Sequence, residues 1–238
     1  MRLATVGLGP LLLAQGLWAR RRTPRLPEPP GPRAGVSGAG PLVRVLILGD
    51  SAAAGVGAPL QDQALSGHLA RALARRFETS WQLEARTGAR TADAITRIRA
   101  LQTSRFDYVV TSLGVNDVVA STTLPSWRAQ QRELREVVRS SLGAPVQIIS
   151  GLPPVWGFPA LPQPLRWYLG RRARQFDRAL AADVAMESDA VFLPLDFALD
   201  ASLMATDGFH PGPEIYRQWA DRLGAVICSD ARSQPGFR

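Results

Sequence analysis

Apolar runs and stretches of helical periodicity alternate along most of this chain. The run from Leu42 to Leu48 is broken only by Arg44, and an apolar, β-branched run of this kind predicts a strand buried on both faces. The segment 62–77 that follows repeats apolar residues at helical spacing. Further strands are predicted over 81–86, 106–113, 146–150 and 190–195, and further helices over 91–101, 125–142, 166–187 and 213–227. This alternation predicts a doubly wound sheet of five parallel strands with right-handed crossovers.

Glycine and small polar residues stand where the first three predicted strands end. Asp50 and Ser51 follow the first strand, Gly88 follows the second, and Asn116 follows the third. Ligands of open α/β sheets bind in the crevice beyond the carboxyl ends of the strands, so we expect these residues at one edge. A hydroxyl there, with only small neighbours, is a candidate nucleophile. Ser51 is equally explained as the cap of the following helix.

A serine nucleophile needs a general base, and the chain holds two histidines. His68 lies inside the periodic segment 62–77, which is typical of an ordinary helix residue. His210 lies in the loop before the last predicted helix, three residues after Asp207. Because Gly208 separates them, the chain can turn back so that the carboxylate of Asp207 meets the imidazole and fixes its tautomer.

Three groups are candidates to stabilise negative charge on an acyl oxygen. They are the backbone N–H groups of Ser51 and Gly88 and the side-chain amide of Asn116. Taken singly, Gly88 is explained as a turn glycine and Asn116 as an Asx-turn residue. Their occurrence together at successive strand ends, in a chain that also holds Asp207 and His210, favours a catalytic site.

The positive charge of the chain is concentrated at its start. The net charge is +8 with no lysine, and residues 1–40 hold six arginines and one acid, a net of +5, which leaves +3 for the remainder. We find no basic face with interleaved aromatic residues, so nucleic-acid binding is not predicted. The single cysteine, Cys228, excludes an intramolecular disulfide, and neither a metal site nor a cofactor is predicted.

Residues 3–19 are apolar apart from Thr5 and Gln15 and are followed at once by Arg20, Arg21 and Arg22. Residues 1–22 are interpreted as a membrane anchor, spanning or interfacial, or as an uncleaved signal. If the segment spans a membrane, the arginines would hold the rest of the chain on the cytoplasmic side, so a membrane-associated or cytoplasmic location is favoured over secretion. A Pro- and Gly-rich linker is predicted over 23–40, one domain over 41–230 and a tail over 231–238.

The chain contains four short blocks: Gly49-Asp50-Ser51, Gly88, Gly114-Val115-Asn116-Asp117 and Asp207-Gly208-Phe209-His210-Pro211. Together these blocks resemble the signature of the SGNH (GDSL-type) hydrolase superfamily, and the resemblance covers roughly residues 42–228. It implies a flavodoxin-like, three-layer α/β/α fold with a five-stranded parallel sheet and a reaction without metal. One departure is Ala52, where a leucine often follows Gly-Asp-Ser; this alters packing rather than chemistry.

The resemblance also assigns a role to each of these residues. It makes Ser51 the nucleophile, His210 the base and Asp207 the group that orients the base. The oxyanion hole would be formed by Ser51, Gly88 and Asn116, with Asp50 and Gly114 as supporting residues.

The sequence therefore predicts a serine esterase that hydrolyses a small-molecule ester or thioester through an acyl-enzyme. The segment 152–167, rich in proline and aromatic residues, is interpreted as an apolar wall that favours an acyl, lipid-like substrate, or else as a stiff crossover. A carbohydrate O-deacetylase of the same superfamily is the alternative activity.

Two other classes of function remain. One is a non-catalytic phosphate-binding module at 49–57, which lacks the lysine of a P-loop. The other is a structural protein that binds a membrane surface through residues 1–40. No oligomeric state is predicted.

Overall fold

A six-stranded sheet lies between two layers of helices in the computed structural model, which describes residues 2–101, 105–196 and 200–233. The strands are β1 (Ala34–Ser37), β2 (Leu42–Gly49), β3 (Glu78–Ala85), β4 (Tyr108–Ser112), β5 (Val146–Ser150) and β6 (Ala190–Leu193). The helices are α1 (Arg2–Arg22), α2 (Leu65–Leu73), α3 (Thr91–Ala100), α4 (Val115–Val119), α5 (Leu124–Ser141), α6 (Leu165–Val184) and α7 (Pro213–Ser233).

The strands lie in the order β1-β3-β2-β4-β5-β6, and all neighbours are parallel except β1 and β3. The predicted α/β/α class with five parallel strands is confirmed. The total of five strands is wrong, because Ala34–Ser37, inside the segment predicted as a linker, pairs antiparallel with β3. Antiparallel edge strands are common on otherwise parallel sheets, and four residues among glycines and prolines carry too little pattern to reveal one.

Strand β2 is buried on both faces, as its apolar run predicts. Val43, Val45 and Ile47 belong to the apolar cluster formed with α2 and α7, whereas Leu46 and Leu48 belong to the cluster formed with α3 and α5. Helix α6 packs beside α5. Helices α2 and α7 therefore cover one face of the sheet, and α3, α5 and α6 cover the other.

The chain changes direction across the sheet beside β2. Strand β3 lies on one side of β2, and β4, the next strand in sequence, lies on the other. The crevice of a doubly wound sheet opens at such a switch point. Ser51 follows β2 and Asn116 follows β4, so the topology brings both residues to this crevice.

Helix α1 packs along α6 and buries Leu12 and Ala19 against the body of the protein. Within the described ranges, no helix has both the length and the apolar character that crossing a bilayer requires. Residues 234–238 of the predicted tail, and Met1, lie outside the described residues.

Candidate active site

Ser51, His210 and Asp207 form one continuous hydrogen-bonded chain. Nε2 of His210 lies 2.9 Å from Oγ of Ser51, and Nδ1 of His210 lies 2.5 Å from Oδ2 of Asp207. An ionised carboxylate only accepts, so Nδ1–H donates to Asp207 and, in the neutral ring, Nε2 accepts from the serine hydroxyl. Ser51 and His210 are 159 positions apart in sequence, and the fold brings them together.

The loop before α7 holds Asp207 against His210 in the way that its sequence predicts. Oδ1 of Asp207 accepts hydrogen bonds from the backbone N–H groups of Phe209 at 2.9 Å and His210 at 3.0 Å. Gly208 adopts φ +63° at the turn between them, a conformation that suits glycine. Burial raises the pKa of Asp207, but the hydrogen bonds from His210 and Phe209 outweigh it and hold the pKa below its usual value. Asp207 is therefore ionised at neutral pH.

Ser51 lies at the first turn after β2 and is 8% exposed. A Cβ on Gly49 would lie 2.5 Å from Cβ of Ala53 and 2.6 Å from the carbonyl oxygen of Ser112, so only glycine fits at the end of the strand. The interpretation of Ser51 as a helix cap is wrong. The next helix, α2, begins at Leu65 with Ala64 at its N-cap, because a run of turns and a short 3₁₀ helix intervene.

Asn116 lies beside Asp50, directly after the sharp turn at Gly114. Nδ2 of Asn116 donates to the carbonyl oxygen of Ala89 at 2.9 Å and to Oδ2 of Asp50 at 3.4 Å. Gly114 has φ +132°, and a Cβ there would lie 3.1 Å from the ring of Trp127. Gly88 lies in the turn after β3 with φ +82°. Gly88 does not line the pocket described next, so its place in the oxyanion hole stays a prediction.

A mostly apolar pocket opens at Ser51, Asn116 and His210. The segment 152–167 contributes Leu152, Pro153, Pro154 and Phe158 to its wall. Trp156 and Trp167, which the sequence placed in that wall, are instead 51% and 46% exposed. The other apolar lining residues are Ala52, Leu113, Val115, Leu195, Met204, Phe209, Pro211, Ile215 and Trp219.

His68 lies outside this pocket. It sits on α2, where its Nδ1 is 3.1 Å from a guanidinium nitrogen of Arg71. Burial and the charge of Arg71 lower the pKa of His68. Within the described ranges, no three His, Cys, Asp or Glu side chains are placed to hold a metal ion.

The sequence around the hydrogen-bonded chain of Ser51, His210 and Asp207 matches a known protein family. The sequence profile of the GDSL-like lipase/acylhydrolase family matches residues 47–218, a range that holds all the candidate residues above. The chain belongs to this family. The resemblance to SGNH (GDSL-type) hydrolases is thereby confirmed. Among curated protein sequences, none matches the chain.

Solved structures share the fold of this GDSL-like hydrolase at low sequence identity. The psychrotrophic esterase EstA from Pseudoalteromonas sp. is 17% identical, with a TM-score of 0.61 over 80% of this chain and 99% of that one. TesA is 22% identical, with a TM-score of 0.61 over 77% of this chain and 97% of that one. A family two carbohydrate esterase from Clostridium thermocellum is 18% identical, with a TM-score of 0.61 over 81% of this chain and 66% of that one. These likenesses establish the fold and not the substrate.

The structure contains a buried polar network behind Asn116 that the sequence did not predict. Oδ2 of Asp117 accepts from the backbone N–H of Thr91 at 3.2 Å and from its hydroxyl at 3.0 Å. Oγ1 of Thr91 in turn accepts from Nε1 of Trp127 and Nε2 of Gln131, each at 3.1 Å. The network joins the first residue of α3 to α4 and α5, so it fixes the short helix that carries Asn116. The adjacent Asn116 and Asp117 are the only local sign of this network in the sequence, because its members are far apart along the chain.

Glu28, in the predicted linker, holds the turn that precedes Gly88. Oε1 of Glu28 accepts from the backbone N–H of Thr87 at 2.7 Å and from its hydroxyl at 2.9 Å, while Oε2 pairs with Arg33 at 3.0 Å. The segment before β1 therefore supports a loop of the candidate site. Nothing in its proline-rich composition indicates that contact.

Asp50 is a buried carboxyl group beside the candidate nucleophile. It is 4% exposed, and burial raises its pKa to about 6, although the N–H of Ala52 and the charge of His210 oppose that shift. When the pKa of a carboxyl group is higher in the folded protein than in the unfolded chain, its stabilising contribution is fully present at pH values below its pKa in the unfolded chain. That contribution is lost as the pH rises through its pKa in the folded protein.

The free energy of unfolding of wild type should therefore fall as the pH rises from about 4 to about 6, and Asp50→Asn is expected to abolish this fall. The change from an ordinary carboxyl pKa to about 6 corresponds to about 3 kcal/mol of unfolding free energy. Urea unfolding of both proteins at about pH 4 and about pH 8 measures the change. Other carboxyl groups are common to both proteins and cancel. A stability difference that is the same at both pH values would contradict the buried, ionising Asp50.

Proposed function

We propose that this GDSL-like hydrolase cleaves carboxylic esters or thioesters with Ser51 as its nucleophile. The observation that carries the proposal is the hydrogen-bonded chain from Oγ of Ser51 through His210 to Asp207. That chain has the geometry a base needs in order to take a proton from a hydroxyl while a carboxylate fixes its tautomer.

In the proposed reaction, Oγ of Ser51 attacks the acyl carbon as its proton passes to Nε2 of His210. The imidazolium gives that proton to the departing alcohol or thiol, which leaves the acyl group on Ser51. Water then attacks the acyl carbon while Nε2 takes one of its protons. When the carboxylic acid leaves, that proton returns to Oγ and the free enzyme is restored. Asp207 stays ionised throughout, in keeping with its lowered pKa.

The proposed oxyanion hole contains Asn116 and the backbone N–H of Ser51, with Gly88 as a further donor. One amide hydrogen of Asn116 donates to the carbonyl of Ala89 at 2.9 Å and fixes the plane of the amide. The second makes only the 3.4 Å contact with Asp50. That hydrogen is therefore available for charge developing in the transition state.

We propose an acyl, lipid-like group as the part of the substrate that the pocket binds. The support is its lining, which is apolar apart from a few polar groups near Ser51, as is usual for sites that bury an apolar ligand. The carbohydrate O-deacetylase alternative needs polar groups for sugar hydroxyls in the same place. A location in the cytoplasm or on the cytoplasmic face of a membrane is also proposed, because the arginines in the last turn of α1 suit the anionic lipids of a cytoplasmic leaflet.

A series of p-nitrophenyl esters tests this assignment. We expect kcat/KM to rise from acetate to butyrate to octanoate, because each added methylene gains about 0.8 kcal/mol when it is buried. An acetylated xylose oligomer serves as the competing substrate. A higher kcat/KM for the acetylated sugar than for any of the esters would overturn the acyl assignment in favour of the deacetylase.

A further inference from the structure

Helix α1 is apolar on both of its sides. The side that faces the body carries Leu8, Leu12 and Ala19 at helical spacing. The outward side is also apolar, and no charged residue occurs between Leu8 and Trp18. A helix that is apolar on all sides is normally buried on all sides, so we expect a partner to cover the outward side of α1. The large apolar residues of this outward side, between 46% and 72% exposed, are Leu11, Leu13, Leu17 and Trp18.

Gln15 fixes α1 on the body of the protein. Its Nε2 donates to the carbonyl oxygen of Gln163 at 2.6 Å, and its Oε1 accepts from the N–H of Leu165 at 3.0 Å. Leu165 is the first residue of α6, and the first N–H groups of a helix have no partner within it. A side chain of α1 thus caps α6, and the outward side keeps a fixed orientation.

Positive charge adjoins the apolar side. Arg20, Arg21, Arg22 and Arg25 are all exposed. The ion pairs found among the described residues involve none of the four. The guanidinium of Arg22 lies 5.8 Å from the ring centre of Trp18. A tryptophan beside arginines at the edge of an apolar surface is typical of the boundary between lipid tails and head groups.

We propose that α1 docks this enzyme on an anionic phospholipid surface, with the helix lying in the interface. The outward leucines and Trp18 would enter the acyl region, and the four arginines would meet the phosphate groups. The lipid must be anionic, because the arginine cluster carries no neutralising acid of its own. A bilayer also suits the extended, one-sided shape of this surface.

Helix α1 shares an apolar cluster with part of the pocket wall. Leu12 belongs to the same apolar cluster as Leu152 and Phe158, and both of those residues line the pocket. Segment 152–167 thus contributes both to the lining of the pocket and to the cluster in which α1 is buried. Docking would bring the pocket close to a source of acyl substrates. This last link rests on the proposed function, whereas the binding itself does not.

Sedimentation of the full chain with vesicles tests the proposal. We expect binding to vesicles of equal parts phosphatidylcholine and phosphatidylglycerol, and much weaker binding to pure phosphatidylcholine. Replacing Arg20, Arg21 and Arg22 by Gln should weaken binding to the anionic vesicles on the order of a hundredfold. Replacing Leu13, Leu17 and Trp18 by Ser should weaken it by at least about tenfold. These side chains are exposed, so the variants should fold.

The matched control replaces Arg71, Arg75 and Arg76 by Gln, the same change of charge on the opposite helical layer. It should bind almost as wild type does, and all three variants should hydrolyse a soluble ester at the wild-type rate. The proposal fails if wild type binds neither kind of vesicle, or if the control loses as much affinity as the variant of α1. It also fails if light scattering shows a dimer that the Leu13, Leu17 and Trp18 variant abolishes while no vesicle is bound. An absence of ester hydrolysis in wild type would count against the proposed function alone.

Discussion

Ser51→Ala is expected to lower kcat for a short activated ester by on the order of a million-fold. The change removes the nucleophilic oxygen that lies 2.9 Å from Nε2 of His210, and it leaves the binding pocket and the oxyanion donors in place. The fold should survive, because a single oxygen is lost. The measurement is the steady-state hydrolysis of p-nitrophenyl butyrate by both proteins, with circular dichroism as the check on folding.

Ser140→Ala is the control for this variant. Ser140 is an exposed serine on α5, whose hydroxyl donates only to a carbonyl of its own helix, so its loss should leave the rate unchanged. Activity of Ser51→Ala within about tenfold of wild type would contradict the role of Ser51, since no other group could replace a lost nucleophile that well.

Asp207→Asn is expected to lower kcat by on the order of ten-thousand-fold. Two backbone N–H groups hold Oδ1 of Asp207, so the oxygen of the new amide should take that position. Its NH₂ group would then face Nδ1 of His210 at the place of Oδ2. The ring would accept there and carry its hydrogen on Nε2, where it could no longer take the proton of Ser51. The same ester assay measures the loss.

The pH profile of kcat/KM identifies the base. A histidine must be unprotonated to act as a base, so the activity of wild type should rise from acid to neutral pH. His68→Gln should leave both the rate and this rise unchanged, because His68 lies on α2 beside Arg71 and outside the pocket. If His68→Gln removes the rise, or Asp207→Asn keeps wild-type activity, the pair Asp207–His210 is wrongly assigned.

The parallel core of the fold could be predicted because its signals are local. The run of Leu42 to Leu48 reads as a strand buried on both faces, and the sheet buries it between two layers. The candidate site was accessible for a similar reason. Ser51 and Asn116 follow adjacent strands, and the turn that joins Asp207 to His210 is made by neighbouring residues.

The parts that the sequence did not reveal depend on contacts between distant residues. The edge strand Ala34–Ser37 acquires its structure by pairing with β3. Glu28 reaches Thr87 across 59 residues, and Gln15 reaches Leu165 across 150. Trp156 and Trp167 lie in the same proline- and aromatic-rich segment as residues of the pocket wall. The packing of that segment, which the sequence does not reveal, leaves both tryptophans exposed. The raised pKa of Asp50 likewise comes from burial in the assembled site.

Labelling with a fluorophosphonate probe, followed by peptide mapping, tests whether Ser51 is the nucleophile, because it requires an activated serine but no knowledge of the substrate. We expect a single adduct on the peptide that contains Ser51, absent in Ser51→Ala and formed far more slowly in Asp207→Asn. The folded wild-type protein failing to react, or carrying its adduct on a serine other than Ser51, would contradict this assignment.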